Sequence, residues 1–153
     1  MLFGSIIPNM PKMYLVVDPN TVISASIIKG NISKIFSLNH EKKKFDFVAP
    51  LFLILELGKH TNKIANKTHF SQEEVKKEIE FVLNQITFIP DEQWIGKIKE
   101  AKISLKGHEK DVPYLALALA FNCKIFSGDK ILKSIIPDKV ITPKELLEIF
   151  QNC

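Results

Sequence analysis

The sequence contains no arginine, so all 21 of its basic residues are lysines. Any phosphate it holds must be met by lysine point charges or backbone N–H groups, because no bidentate guanidinium fork exists. Base reading by arginine is excluded with it. Cysteine is scarce too: Cys123 and Cys153 are too few for a disulfide framework and lack metal-motif spacing. No apolar run approaches the roughly 18 residues of a membrane-spanning helix. The opening MLFGSIIPNMPK lacks the basic start, long apolar stretch and small-residue cleavage site of a secretory leader. There is no Walker A segment, GxGxxG, nucleophile elbow or Cys/His zinc pattern. His40, His60, His69 and His108 show no ligand or general-base spacing.

What is present suffices for one core. The chain has 153 residues, 46% hydrophobic and 25% charged, which fits a single compact domain and is too apolar for disorder. The 21 basic residues against 17 acidic give +4 at pH 7. That excess permits contact with a polyanion without establishing it. The expectation is a soluble, cytoplasmic protein with one domain over residues 13–153 and an N-terminal extension over 1–12.

From Met13 onward, short β-rich apolar runs alternate with helical patterns. Strands are predicted at Met13–Val17, Phe45–Ala49, Ile86–Ile89, Lys124–Ser127 and Lys139–Ile141. Helices are predicted from Thr21, through Ile32–Leu38, from Pro50 to about Ala65, over Gln72–Asn84, over Glu92–Leu105, over Asp111–Asn122, over Lys130–Ile135 and from Pro143. Ser71 with Glu74 and Thr142 with Glu145 fit capping boxes. The polar string Asn39–Lys44 reads as a loop. Strands separated by helices imply parallel crossovers and a sheet covered on both faces, the doubly wound α/β class.

In such sheets ligands bind beyond the carboxyl ends of the strands. Asp18 follows the first strand, Asp129 the fourth, Glu56 lies in the helix after the second, and Asp111 opens the helix leading into the fourth. Oxygen ligands in that number suit Mg²⁺ or Mn²⁺ and phosphoryl-oxygen chemistry. Each acid also has a plainer reading. Asp18, Asp111 and Asp129 fit turn or N-cap positions. Glu56 interrupts the apolar run Leu51–Leu57, where an unpaired carboxylate is costly to bury, although a helix also exposes one stripe. Lys42–Lys44 reads as a solvated loop, whereas Lys130, beside Asp129, is the better candidate for a substrate phosphate. Trp94, Phe81 and Phe88 read as core or interface residues.

The pieces LVVDPNTVISA, LFLILEL, DVPYLALALA and IFSGDK, in this order, resemble the PIN domain, the fold of metal-dependent ribonucleases that includes the VapC-type toxins. The acids are separated by 38, 55 and 18 residues, and the resemblance runs from Met13 to the end. It implies a parallel five-stranded sheet in a three-layer α/β/α, Rossmann-like domain. It implies Asp18, Glu56, Asp111 and Asp129 as catalytic and metal-binding residues, with Ser127 and Asn20 as polar support. Some members carry a further acid one turn beyond the last; here those positions are Lys130, Ile131 and Leu132. The implied activity is Mg²⁺- or Mn²⁺-dependent cleavage of RNA. The implied role is the toxin of a toxin–antitoxin pair, a homodimer blocked by an antitoxin protein, or a stand-alone RNA-processing nuclease. The alternative is a catalytically weak or inactive PIN-fold module that binds RNA or protein. A phosphoryl-accepting receiver domain shares the fold class, but it needs an acceptor Asp at a central strand end near mid-chain, where this sequence has Pro90 or the helical Glu56.

Overall fold

The structure, a computed structural model, describes residues 13–67 and 70–152; the expected extension over 1–12 lies outside them, as do His69 and Cys153. Five strands form one parallel sheet in the order β3-β2-β1-β4-β5. They are β1 (Tyr14–Val17), β2 (Asp46–Pro50), β3 (Ile86–Ile89), β4 (Lys124–Phe126) and β5 (Val140–Ile141). The chain winds outward from β1 through β2 to β3, then returns to lay β4 and β5 on the other side of β1. The direction therefore reverses between β1 and β4, and a crevice is expected at such a switch point.

Eight α-helices occupy the crossovers of the described residues: α1 (Pro19–Ile27), α2 (Asn31–Lys42), α3 (Leu53–Lys67), α4 (Gln72–Leu83), α5 (Ile98–Ser104), α6 (Val112–Ala120), α7 (Lys130–Ile135) and α8 (Pro143–Gln151). None is long and apolar enough to cross a membrane. Leu15–Val17 and Phe47–Pro50 are buried without alternation, as a sheet covered on both faces requires. Phe36 on α2 meets Phe47 and Phe126 with ring centroids 4.8 and 6.1 Å away, tying a helix to two strands. Each fully buried ring is worth about 1.5–3 kcal/mol. The apolar α6 lies across β1, β2 and β4, and its residues Tyr114–Ala118 are all buried. Both predicted capping boxes form, at the starts of α4 and α8.

Three segments depart from the sequence expectation. Pro50 does not open a helix; it ends β2, paired with Ile89. The β1–β2 ladder has already stopped at Val48, so no hydrogen bond misses the proline N–H, and α3 starts only at Leu53. Glu56 thereby sits in the first turn of α3 instead of two turns in. The string after Asn39 stays helical to Lys42 and stops at Lys43, which takes the left-handed conformation (φ 50°). Buried Asn39 then brackets the next strand: its side chain accepts from the Phe45 N–H (2.9 Å) and donates to the Phe45 carbonyl (3.0 Å). Over 92–105, two 3₁₀ turns precede α5, because Trp94 leaves helical φ (−130°) to bury its indole.

Candidate active site

Asp18 is the first residue beyond β1 and is 4% exposed. Its Oδ1 accepts the Thr21 N–H (2.9 Å), capping α1, whose first position is preset by Pro19. Its Oδ2 accepts the Ser127 hydroxyl (2.8 Å). Ser127 Oγ accepts the Asp129 N–H (3.1 Å), and the Thr21 hydroxyl donates to the Phe126 carbonyl (3.0 Å). These four bonds lace the end of β1 to the end of β4. Burial pushes the Asp18 carboxyl above its ordinary range; the bonds from Thr21 and Ser127 oppose this, and the charge of Asp129 adds to it.

Asp129 behaves partly as a plain capping residue: its Oδ1 accepts the N–H groups of Ile131 (2.9 Å) and Leu132 (3.1 Å). Asp111 does not. Ahead of α6 it makes no capping bond, and it forms no other hydrogen bond or ion pair among the described residues. Its carboxyl is raised first by burial, then by Asp18 and Asp129, with His108 and Lys110 pulling the other way. Glu56 is half-buried, and it too has no hydrogen bond or ion pair among the described residues. Its charge meets those of Asp18 and Asp111 at the Tyr114 phenol, which burial and these three acids push far above its ordinary range.

The structure thus gathers Asp18, Asp111 and Asp129 into one mutually repelling field, which Glu56 joins through Tyr114. The acids are not drawn tight: among the described residues, no three His, Cys, Asp or Glu side chains converge closely enough to form a ready-made ion site. The donors are hard carboxylate oxygens, the kind suited to Mg²⁺ or Mn²⁺. Two raised carboxyls and a buried Tyr114 hydroxyl without a hydrogen-bond partner also fit a site completed by a cation.

Beside Asp129 the surface opens. Asn20 makes no bond to the acids; it lines a cleft of about 260 Å³ with Thr21, Ser24 and Asp129. A groove of about 520 Å³ shares Ser24, Ile32, Gly128 and Asp129 with that cleft, and runs on past Ile28 and Pro143 to Lys130 and Lys144. A Cβ on Gly128 would touch Pro143 and Ile32 at 3.6 and 3.7 Å, so the bare glycine keeps the floor open. Lys133 is occupied by the Pro137 and Val140 carbonyls and by Glu145, whereas Lys130 and Lys144 are exposed and unpaired among the described residues. Lys42–Lys44 lie where α2 runs into β2, at the opposite edge of the sheet.

Sequence reasoning passed over two residues, Thr21 and Tyr114. Thr21 stands three residues after a strand-ending Asp, where an N-cap acid finds its N–H partner. Tyr114 is three residues after Asp111, so both share a helical face, yet it is hidden in an apolar run. Trp94 packs in the core as expected, but Phe81 is 40% exposed and rests against His40.

The sequence model of the family described as PIN domain matches residues 16–136, a span that contains all four acids. No curated protein matches the sequence. Among solved structures, the crystal structure of PAE2754 from Pyrobaculum aerophilum is similar, with a TM-score of 0.70 and 13% identity over 93% of this chain and 91% of that one. At that identity the likeness is one of fold. Family model and fold agree, and the chain belongs to the PIN-domain family, whose members are in general nucleases.

Proposed function

We propose that the chain is a metal-dependent endoribonuclease in which Asp18, Glu56, Asp111 and Asp129 hold Mg²⁺ or Mn²⁺ at the β1–β4 crevice. The observation that carries this reading is Asp111, a partly buried carboxylate with no internal partner, set among like charges. A folded chain keeps such an arrangement at a cost in stability, and a cation removes that cost. When bound, the ion supplies an activated water and charge stabilisation for in-line displacement at phosphorus. Ser127 and Thr21 fix the Asp18 carboxylate, and the α7 cap fixes that of Asp129. Lys130 and Lys144 stand where flanking phosphates of a single RNA strand would pass, and Ile28, Ile32 and Pro143 offer an apolar floor to its sugars and bases.

The toxin role is the finer reading. Leu51, Ile54 and Leu55 are 48%, 47% and 69% exposed around Glu56, an apolar face suited to an antitoxin or a second copy of the chain. The loosely spaced acids favour the second reading, a catalytically weak binding module. Cleavage of single-stranded and structured RNA with Mn²⁺, Mg²⁺ or EDTA, run beside Asp111→Asn, separates the two. A nuclease of this design cuts only with the ion and loses more than about a hundredfold in the variant. Cutting that survives EDTA, or is undiminished in Asp111→Asn, refutes it. RNA binding without cutting establishes the module.

A further inference from the structure

Tyr114 is 2% exposed, and its hydroxyl is buried without a hydrogen-bond partner among the described residues. Buried polar atoms are nearly always paired, so an orphan calls for an explanation such as a catalytic role or an absent water or ion. Gln85 and Trp94 also carry unpaired buried atoms; Tyr114 differs in having three candidate metal-site carboxylates acting on it. Its position is not loose. One turn along α6 from Asp111, its ring packs on Phe52 with centroids 5.5 Å apart, which aims the hydroxyl toward the acids of both α3 and α6. A phenylalanine would fill the same space without an unpaired hydroxyl, so packing alone does not account for the oxygen.

We propose that the Tyr114 hydroxyl is an outer-sphere partner of the divalent ion held by Asp18, Glu56 and Asp111, and so a positioning residue of the site. The inference rests on the metal-dependent reading above. A phenol both donates and accepts: its oxygen can accept from the hydration shell that Mg²⁺ retains, while its proton turns to a carboxylate oxygen. Both bonds form only with the hydrated ion in place, which leaves the hydroxyl unpaired without it. Tyr114 also joins the two otherwise unpaired acids, Glu56 on α3 and Asp111 ahead of α6, to a single ion.

The test compares the full-length wild type with Tyr114→Phe by Mn²⁺ titration calorimetry and thermal melting, with Asp18→Asn as the reference for a damaged site. Tyr114→Phe should melt no lower than wild type without ion, and bind Mn²⁺ about two- to tenfold more weakly. A second measurement needs no variant to fold. The chain has two tyrosines, Tyr14 and Tyr114. Labelled with 3-fluorotyrosine, it should show a Mg²⁺-dependent ¹⁹F shift for Tyr114 and none for Tyr14, which starts β1 at the far edge of the sheet. Equal Mn²⁺ affinity in Tyr114→Phe, or an unmoved Tyr114 resonance at saturating Mg²⁺, overturns the inference and leaves the metal site standing. A wild type that binds no divalent ion overturns both.

Discussion

Replacing Asp18 with asparagine removes a buried charge and keeps nearly everything else. Asparagine caps a helix as well as aspartate, so the bond from the Thr21 N–H survives, and its amide can still meet Ser127. What changes is electrostatic: burial and the Asp129 charge already disfavour the ionised form of Asp18 more than its hydrogen bonds favour it. Relieving a buried, incompletely compensated charge is worth about 1–2 kcal/mol. For a chain of this size that raises the melting temperature by about 3–6 °C in EDTA at pH 7. The sign check fixes the pH window. The folded carboxyl holds its proton above the unfolded value near 4, so its contribution to stability is full below about pH 4 and is lost as pH rises through the raised folded value. Wild type and variant should therefore converge toward pH 4 and separate above it. An ion at a hundred times its dissociation constant stabilises the native state by about 2.7 kcal/mol. It should lift wild type by about 5–10 °C and leave Asp18→Asn unmoved, reversing their order. Differential scanning fluorimetry with EDTA, Mg²⁺ and Mn²⁺ reads all of this. An Asp18→Asn protein that melts lower in EDTA, or rises as much with the ion, refutes the reasoning.

Ser127→Ala leaves Asp18 Oδ2 without its donor and the Asp129 N–H without its acceptor; urea unfolding at pH 7 should show a loss of about 2 kcal/mol. That loss should shrink toward pH 4 as Asp18 takes up a proton. If the groove beside Asp129 carries RNA, Lys130→Ala and Lys144→Ala should each reduce the salt slope of oligonucleotide binding by about 0.7, measured by fluorescence anisotropy. Lys42→Ala, at the other edge of the sheet, should leave it unchanged.

The fold was legible where its cause is local. The two capping boxes need only residues three apart, and both form. The β-rich runs ended by Asp-Pro, Pro or Ser-Gly-Asp mark strands because the punctuation is as local as the run. Legibility fell where a distant partner decides. Nothing near Pro50 tells that the β1–β2 ladder stops two residues before it. Likewise Asn39 looks like a loop residue until Phe45 folds back to be bracketed by its amide. In the site, Asp18, Asp111 and Asp129 could be placed at one sheet edge from topology alone. The unpaired state of Asp111 could not, since its own motif also fits a plain N-cap. Tyr114 stayed hidden because an apolar helix conceals one polar atom, and only the arrival of α3 and β1 puts acids around it.

The lacing between Asp18 and Ser127 joins residues 109 apart in the chain, and that between Thr21 and Phe126 joins residues 105 apart. A ribosome making this protein releases the first carboxylate early, long before the hydroxyl that will orient it exists. Until the stretch through Asp129 has emerged and docked beside β1, the crevice has only one wall. The nascent polypeptide is therefore harmless to the very message being translated, and any nuclease activity switches on only at completion.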